Sequence, residues 1–529
     1  MRNPFGRAEP DAGRAPDRHR PAGVLRSALA VVLGALPAFA FPAPGLWWWA
    51  YVCLVPWLLL VRTAPGARRA ALDGWCGGAG FLLAAHHWLL PSVHVFLLVM
   101  AVLLGLLWVP WAVLARALLG GAPGLRRAAA ALFAVPSGWL LIELVRSWEG
   151  LGGPWGLLGA SQWEVPVALR LASVGGVWLV SLLVVAVNTA VVLLVAVPGP
   201  RAVGAAGLAG CALVAGVAAW GAGAPRPSGS VRVAMVQPGV HDGPEGAERR
   251  LDRAGELTRG LAGQRVDLVV WGESGVGRDP AGDPALAARL TGLARAVDAP
   301  LLVNVDARRA DRPGIYKSAL LFTPDGPTGD RYDKMRLVPF GEYVPARGLL
   351  GWATSVGEAA REDRRRGTAP VVMRLPGGER PLRIGPLVCF ESSFPDMSRR
   401  LARDGADVIV VQSATSTFQH SWAPAQHAAL AALRAAETGR PVAHVTLTGI
   451  SAAYGPDGGR VGPVVGTDAS GAVVRELPLS GATTPYARWG DWPLYGACAV
   501  VGAVCAAGAG ALRRPGPGRR GRPARTVRG

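Results

Sequence analysis

Three short segments carry the residue types that acyl transfer needs. VVWGES (269–274) ends an apolar run on Glu273, and YDKMRLVPFGEYVP (332–345) sets Lys334 and Glu342 on either side of a Pro/Gly loop. GPLVCFESSFPD (385–396) ends an apolar run on Cys389, followed at once by Phe390 and Glu391. A thiol, a carboxylate and an ammonium make a workable set. The carboxylate takes the thiol proton, the thiolate attacks a carbonyl, and the ammonium meets the oxyanion. Burial at a strand end partly desolvates a carboxylate, so the pKa of Glu273 is expected to rise.

Lysine usage sharpens the choice of cation. The chain has 55 Lys+Arg, yet only two are lysines, Lys317 and Lys334. A compact ammonium can point one charge into a small pocket, where a planar guanidinium fits poorly. Of the six cysteines, Cys53, Cys76, Cys211, Cys498 and Cys505 lie in apolar runs and are expected to act as small buried hydrophobes. Cys389 alone falls in the polar half, which leaves no disulfide framework there.

The elements that must position these residues read as an α/β domain. VRVAMVQ (231–237), VDLVVW (266–271), PLLVNVD (300–306), SALLFT (318–323), LRIGPLVCF (382–390), ADVIVVQ (406–412) and RPVAHVT (440–446) read as strands. AALAALRAAETG (428–439) reads as a helix ending in a Gly cap. Near-continuous apolar strands alternating with helices predict a sandwich whose sheets are buried on both faces.

Ahead of that domain the texture is different. The whole chain is 51% hydrophobic and 17% charged, below the usual soluble share of roughly 25% charged. The deficit is concentrated in the first ~225 residues and near the C-terminus, where runs of roughly 20 apolar residues can cross a bilayer. Seven spans are expected before the domain, at 24–42, 46–63, 73–90, 94–117, 128–147, 169–197 and 202–222, and an eighth at 493–512. The expected organisation is therefore a disordered basic cytoplasmic arm (1–22), a seven-span bundle (23–223), an extracytoplasmic catalytic domain (229–482), a final transmembrane helix (490–512) and a basic cytoplasmic tail (513–529).

The formal charge of +19 follows the same plan. Arginines mark the two tails, the 2–3 connection (Arg62, Arg68, Arg69) and the 4–5 connection (Arg116, Arg126, Arg127), all on one side if seven spans precede the domain. No nucleic-acid motif accompanies the charge, so nucleic acid is excluded as a partner. Trp47, Trp48 and Trp49, with Trp88, Trp148, Trp155 and Trp163, suit an interfacial aromatic belt. His86, His87 and His94 lack cysteines or carboxylates at ligand spacing, so no metal is expected. Glu143 and Arg146, three apart near the end of a span, are expected to pair within the helix.

WGES, YDKMRLVPFGEYVP and VCFES resemble the three catalytic blocks of the nitrilase (carbon–nitrogen hydrolase) superfamily. Joined to membrane spans, and with GGPWGLLGASQWEVPVALRLASVGGVWLVSLLVVAVN (152–188) ahead of them, they are similar to its membrane-embedded branch, the apolipoprotein N-acyltransferase family. The resemblance covers about residues 25–510. It implies an αββα sandwich on a helical membrane bundle, with Glu273 as general base, Lys334 as oxyanion stabiliser and Cys389 as acyl-carrying nucleophile. Glu342 is implied to orient the lysine or join the acid/base network. Phe390 and Glu391 match the aromatic–Glu pair after the nucleophile, and the Phe390 N–H would be a second oxyanion donor.

The implied partners are a phospholipid acyl donor, a diacylglyceryl-apolipoprotein acceptor and the membrane lipids, with no cofactor and the protein a monomer. The chain departs from the family pattern at QPGVHDG (237–243), at QSATSTF (412–418) and at Leu447. The competing expectation is a membrane-tethered amidase or nitrilase that hydrolyses a small amide, since the same three residues serve both reactions. A catalytically inert binding protein and a transporter are weaker alternatives.

Overall fold

The computed structural model describes residues 20–513 apart from 198, 222–224, 226, 242, 244, 346, 351–361 and 376–380. The arm expected at 1–22 and the tail expected at 513–529 lie almost wholly outside the described residues. The first half is a helical bundle. Among the described residues, five of its helices are long and apolar enough to cross a membrane: Ala22–Ala40, Phe96–Leu119, Leu125–Arg146, Pro166–Ala196 and Arg201–Gly221. Two further expected spans form shorter apolar helices, Trp47–Arg62 and Trp492–Ala507. The span expected at 73–90 is the helix Ala67–Ala85, whose early turns carry Arg68, Arg69 and Asp73 and so dilute its apolar character.

The centre of the bundle is aromatic. Trp57 packs against Trp108, Trp111 and Trp139 with ring centroids 5.2–6.5 Å apart, and Phe81 joins at 5.5 and 5.8 Å. Two aromatic expectations need correcting. Trp88 and Trp155 are not interfacial belt residues but buried, stacked on each other at 5.2 Å. Trp148 does stay exposed. Among the cysteines only Cys53 is fully buried; Cys498 and Cys505 face outward on the last helix.

Glu143 and Arg146 serve the loop after their helix. Glu143 Oε1 accepts from the Leu158 N–H at 2.7 Å and from Trp139 Nε1 at 3.0 Å. Arg146 donates to the carbonyls of Trp155 and Gly156 at 2.6 and 3.0 Å. A loop that folds back among helices carries backbone groups that water cannot reach, and these two side chains satisfy them.

The 31-residue helix Pro166–Ala196 is broken at Gly175 and Gly176. Gly176 has φ +68°, and a Cβ there would lie 2.5 Å from the Tyr486 ring, so both conformation and space require glycine. The break frees the Val177 N–H, which donates to Glu437 Oε1 at 2.8 Å. Glu437 belongs to the helix Ala423–Thr438 of the second half. Arg434, on the same helix, donates to Glu437 at 2.9 Å and to the Ser393 carbonyl at 2.9 Å.

That second half is a four-layer αββα sandwich. Its strands are β1 (Gly229–Gln237), β2 (Leu268–Trp271), β3 (Leu301–Arg308), β4 (Ile315–Thr323), β5 (Gly326–Asp333), β6 (Met373–Leu375), β7 (Leu382–Val388), β8 (Val408–Ser413), β9 (Val442–Thr446), β10 (Ala452–Tyr454) and β11 (Gly471–Leu479). They form two sheets, ordered β11-β1-β2-β3-β4-β5 and β10-β9-β8-β7-β6. Val233, Met235, Leu268 and Val270 of one sheet meet Ile384, Val388, Val410 and Val445 of the other in an apolar core. Helices Gly246–Arg259 and Pro284–Ala296 cover the outside of the first sheet, and Pro395–Arg403 and Ala423–Thr438 that of the second. All seven expected strands are present. The expected Gly cap is Gly439, left-handed at φ +66°.

Candidate active site

Three strand ends converge where the two sheets meet. Gly272 and Glu273 follow β2, Lys334 follows β5 and Cys389 follows β7. The Glu273 N–H donates to the Ser413 carbonyl at 3.0 Å, across from one sheet to the other. Gly272 makes that approach feasible: a Cβ there would lie 2.0 Å from the Leu447 nitrogen. Ser274 and Cys389 adopt left-handed backbone at φ +56° and +51°. Such residues cost on the order of 1–3 kcal/mol each and persist where the surroundings fix them. At Cys389 the turn projects the thiol out of the end of β7, with Sγ 3.9 Å from the Ala414 carbonyl.

The charged groups form a closed set. Lys334 Nζ donates to Glu273 Oε1 at 3.2 Å and to Glu342 Oε1 at 2.7 Å. Lys317 Nζ lies 2.7 Å from the same Glu273 oxygen and 3.1 Å from the same Glu342 oxygen. Two ammonium groups thus bridge two carboxylates, and Lys334 is completely buried. Burial alone would raise the Glu273 pKa, as the sequence suggested. The Lys317 and Lys334 charges outweigh it and hold Glu273 down at about 2. The expected rise is therefore corrected: the carboxylate is buried, but two ammonium groups accompany it. Both lysines are correspondingly pushed above the ordinary lysine value. The Cys389 thiol is pushed up to about 12, by burial first and then by the Glu273 charge.

Glu342 Oε2 also accepts from the Val338 N–H at 2.9 Å, which ties the Pro/Gly loop to the charged set. Glu391 sits elsewhere. Its Oε1 accepts from Tyr332 Oη at 2.7 Å and from the N–H groups of Met335 and Arg336 at 2.7 and 3.1 Å. Its Oε2 accepts from the Val388 N–H at 2.8 Å. Fully buried, it clamps the Lys334 loop to the turn that carries Cys389. Phe390 packs edge-on against Phe394 at 5.0 Å. Its N–H lies in the first turn of the 3-10 helix Cys389–Ser393, where N–H groups lack intrahelical partners.

Beyond the thiol opens an apolar cavity of about 350 Å³, within the usual ligand-pocket range of roughly 300–1,000 Å³. Cys389, Phe390 and His427 form its floor on the domain side. Leu97, Met100 and Leu104 of the bundle form a wall, and Trp88, Trp155 and Phe418 a collar. Trp155 Nε1 donates to Gln426 Oε1 at 2.7 Å, which joins bundle and domain beside the opening. The cavity belongs to both halves.

Two residues at this site were not assigned by sequence reasoning. Lys317 was noted only as the second lysine; its meeting with Lys334 follows from β4 pairing with both β3 and β5. His427 bonds the Cys389 carbonyl at 3.1 Å and Ser413 Oγ at 3.1 Å, and burial lowers it to about 4, so the imidazole is neutral. Nothing in its helical pattern distinguished it. At the departures from the family pattern, Gln237 and Gln412 bond across the sheets, to Thr446 at 2.7 Å and to the Trp271 carbonyl at 2.9 Å. Thr415 and Phe418 line the cavity.

Residues 33–190 match the apolipoprotein N-acyltransferase N-terminal domain family, and residues 232–484 match the carbon-nitrogen hydrolase family. The apolipoprotein N-acyltransferase of Azotobacter vinelandii is 33% identical over 505 residues, covering 89% of this chain and 93% of its own length. That of Pseudomonas syringae pv. tomato is 30% identical over 492 residues, covering 89% and 95%. A nitrilase-superfamily protein of Saccharomyces cerevisiae with a solved structure aligns at 20% identity and a TM-score of 0.37, over 48% of this chain and 91% of its own. Because the same relatives run through both the helical bundle and the sandwich, the chain belongs to the apolipoprotein N-acyltransferase family.

Proposed function

We propose that this chain is a bacterial plasma-membrane N-acyltransferase. It moves an acyl chain from a phospholipid to the α-amino group of an N-terminal diacylglyceryl-cysteine on an apolipoprotein. The bundle spans the membrane, the sandwich lies outside the cytoplasm, both termini are cytoplasmic, and the protein works as a monomer.

Catalysis is ping-pong. Glu273 takes the Cys389 proton as sulfur attacks the ester carbonyl, and Lys334 with the Phe390 N–H receives the oxyanion. The intermediate collapses, the ester C–O bond breaks, and the lysophospholipid alkoxide leaves with the proton from Glu273. The acceptor amine then attacks the thioester, Glu273 takes its proton, and the thiol is restored as the amide forms. A thiol held near 12 is not a standing thiolate. Proton transfer therefore accompanies attack, and the base is strengthened as Lys334 turns from Glu273 toward the oxyanion. Glu342 orients Lys334, and Glu391 positions the turn from behind.

The single observation that carries a lipid donor is that the thiol opens onto an apolar cavity walled by membrane helices. A small amide would need no such wall.

Purified protein given phospholipid and no acceptor is expected to accumulate acyl-Cys389. The label should be released by neutral hydroxylamine and be absent from Cys389→Ala. A diacylglyceryl-cysteinyl peptide should then discharge it onto its own amino group. Discharge chiefly to water would favour the amidase reading, and a Cys389→Ala protein that still acylates peptide would sink the mechanism.

A further inference from the structure

The charged set holds one cation more than a Glu–Lys–Cys mechanism uses. Lys317 and Lys334 contact the same oxygen of Glu273 and the same oxygen of Glu342, and the Lys334 N–H also donates to the Lys317 carbonyl at 2.8 Å. They differ in placement. Lys334 is sealed, while the Lys317 side chain is 13% exposed and rises from β4, one strand in from the sheet edge, in register opposite Asp306. Asp306 also bonds Arg364 at 3.3 Å and lies 3.8 Å from Lys317, so the nearer contacts of Lys317 are with the two glutamates.

We infer that Lys317 is a positioning residue: it holds Glu273 and Glu342 as a charged pair so that Lys334 can leave them for the oxyanion. The inference rests on the acyl-transfer reading. An ammonium has three protons, and at rest Lys334 directs two of them at these carboxylates. When Lys334 turns toward the substrate, two neighbouring carboxylates lose a shared cation. Two such groups left without one cannot both stay ionised, and one takes up a proton. If that one is Glu273, the base is occupied before it can accept the thiol proton. Lys317 remains at 2.7 and 3.1 Å from the two oxygens and prevents this. Among the described residues, Cys389, neutral His427 and Asp306 also face the pair and none of them is a positive charge, while Arg364 is engaged with Asp306. This also explains why both lysines of an arginine-rich chain lie at one site.

The test is single-turnover acylation of Cys389 from phospholipid by the full-length protein, followed across about pH 3–9, which spans the ordinary carboxyl and imidazole range. Lys317→Gln is expected to slow acylation at least about tenfold, less than the loss of a direct oxyanion donor. The phospholipid concentration for half-maximal rate should not change, and the acid limb of the profile should move to higher pH. Lys317→Arg should keep the wild-type limb and recover most of the rate. The cost of Lys317→Gln should shrink in a Glu342→Gln background, where only one carboxylate remains to be held. A wild-type rate and limb in Lys317→Gln would overturn the inference, and so would an equal loss in both backgrounds. If the wild-type protein itself never carries acyl on Cys389, the acyl-transfer reading fails instead.

Discussion

Buried polar groups do different work in the two halves of this molecule. In the sandwich, Glu273, Glu342, Lys317 and Lys334 bond to one another. In the bundle the Asp73 carboxylate pairs with Arg26 and Arg69 near one end, but deeper in, the buried polar side chains bond mainly to backbone. Asn188 accepts from the Leu54 N–H at 2.9 Å and donates to the carbonyls of Ala50 and Val184, and Glu143 and Arg146 hold the 155–158 loop in the same way. A side chain bonded to backbone repairs an irregular helix where no water can, and it has no second partner to move to. Charges bonded to charges can exchange partners during a reaction. The first arrangement is structural and the second chemical.

That contrast breaks if a charged-set variant fails to fold, or if a bundle variant folds but does not turn over. The largest expected effect is at Lys334. Lys334→Arg keeps the charge but not the shape, and acylation should fall by more than about 10²–10³ while protein yield in detergent stays near wild type. Near-normal turnover would make Lys334 a general cation.

An intermediate effect is expected at the thiol. With Cys389 held near 12, its alkylation by iodoacetamide, read on the Cys389 peptide by mass spectrometry, should be slow at neutral pH and climb steadily with pH. Glu273→Gln removes a negative charge that raises the thiol and frees two ammonium groups to lower it. Alkylation at neutral pH should then become about tenfold faster or more, since one unit of pKa is a factor of ten. The same variant should transfer no acyl chain. Unchanged alkylation would mean that Glu273 and the thiol are not electrostatically coupled.

The smallest effect on rate is expected in the bundle. Asn188→Leu strands a buried N–H and carbonyls, which costs on the order of 1–3 kcal/mol. It should lower the melting temperature and the yield, yet leave turnover per folded molecule within about threefold. A stable but inactive Asn188→Leu protein would blur the distinction between the halves.

The sequence showed strands wherever apolar runs were continuous, because those strands are covered on both faces. It did not show β5 (GPTGDRYD), whose polar alternation looks like a turn, nor the short β6 and β10 or the half-exposed edge strand β11. The convergence of Glu273, Lys334 and Cys389 was legible because each follows a strand in a compact segment. Lys317 was not, because its place depends on register between strands. Glu391 was legible only as the partner of Phe390 after the cysteine, and the paths of three chain segments reveal it as a clamp. Five of the seven spans expected in the bundle followed from apolarity, but the break at Gly175–Gly176 did not, since two glycines in an apolar run are ordinary in themselves.

That break matters for how the enzyme is made. The helix Pro166–Ala196 is synthesised well before Glu437 and Arg434, so the socket at Val177 emerges before the residues that fill it. When the sandwich domain settles, Glu437 caps the broken helix and Arg434 braces the Ser393 carbonyl at the end of the turn that carries Cys389. A domain severed from its bundle would lose the helix end that its carboxylate caps and the bundle wall of the apolar cavity together. Seating the domain on the membrane therefore finishes the active site, and a copy left undocked during biogenesis would be an incomplete enzyme rather than a soluble one.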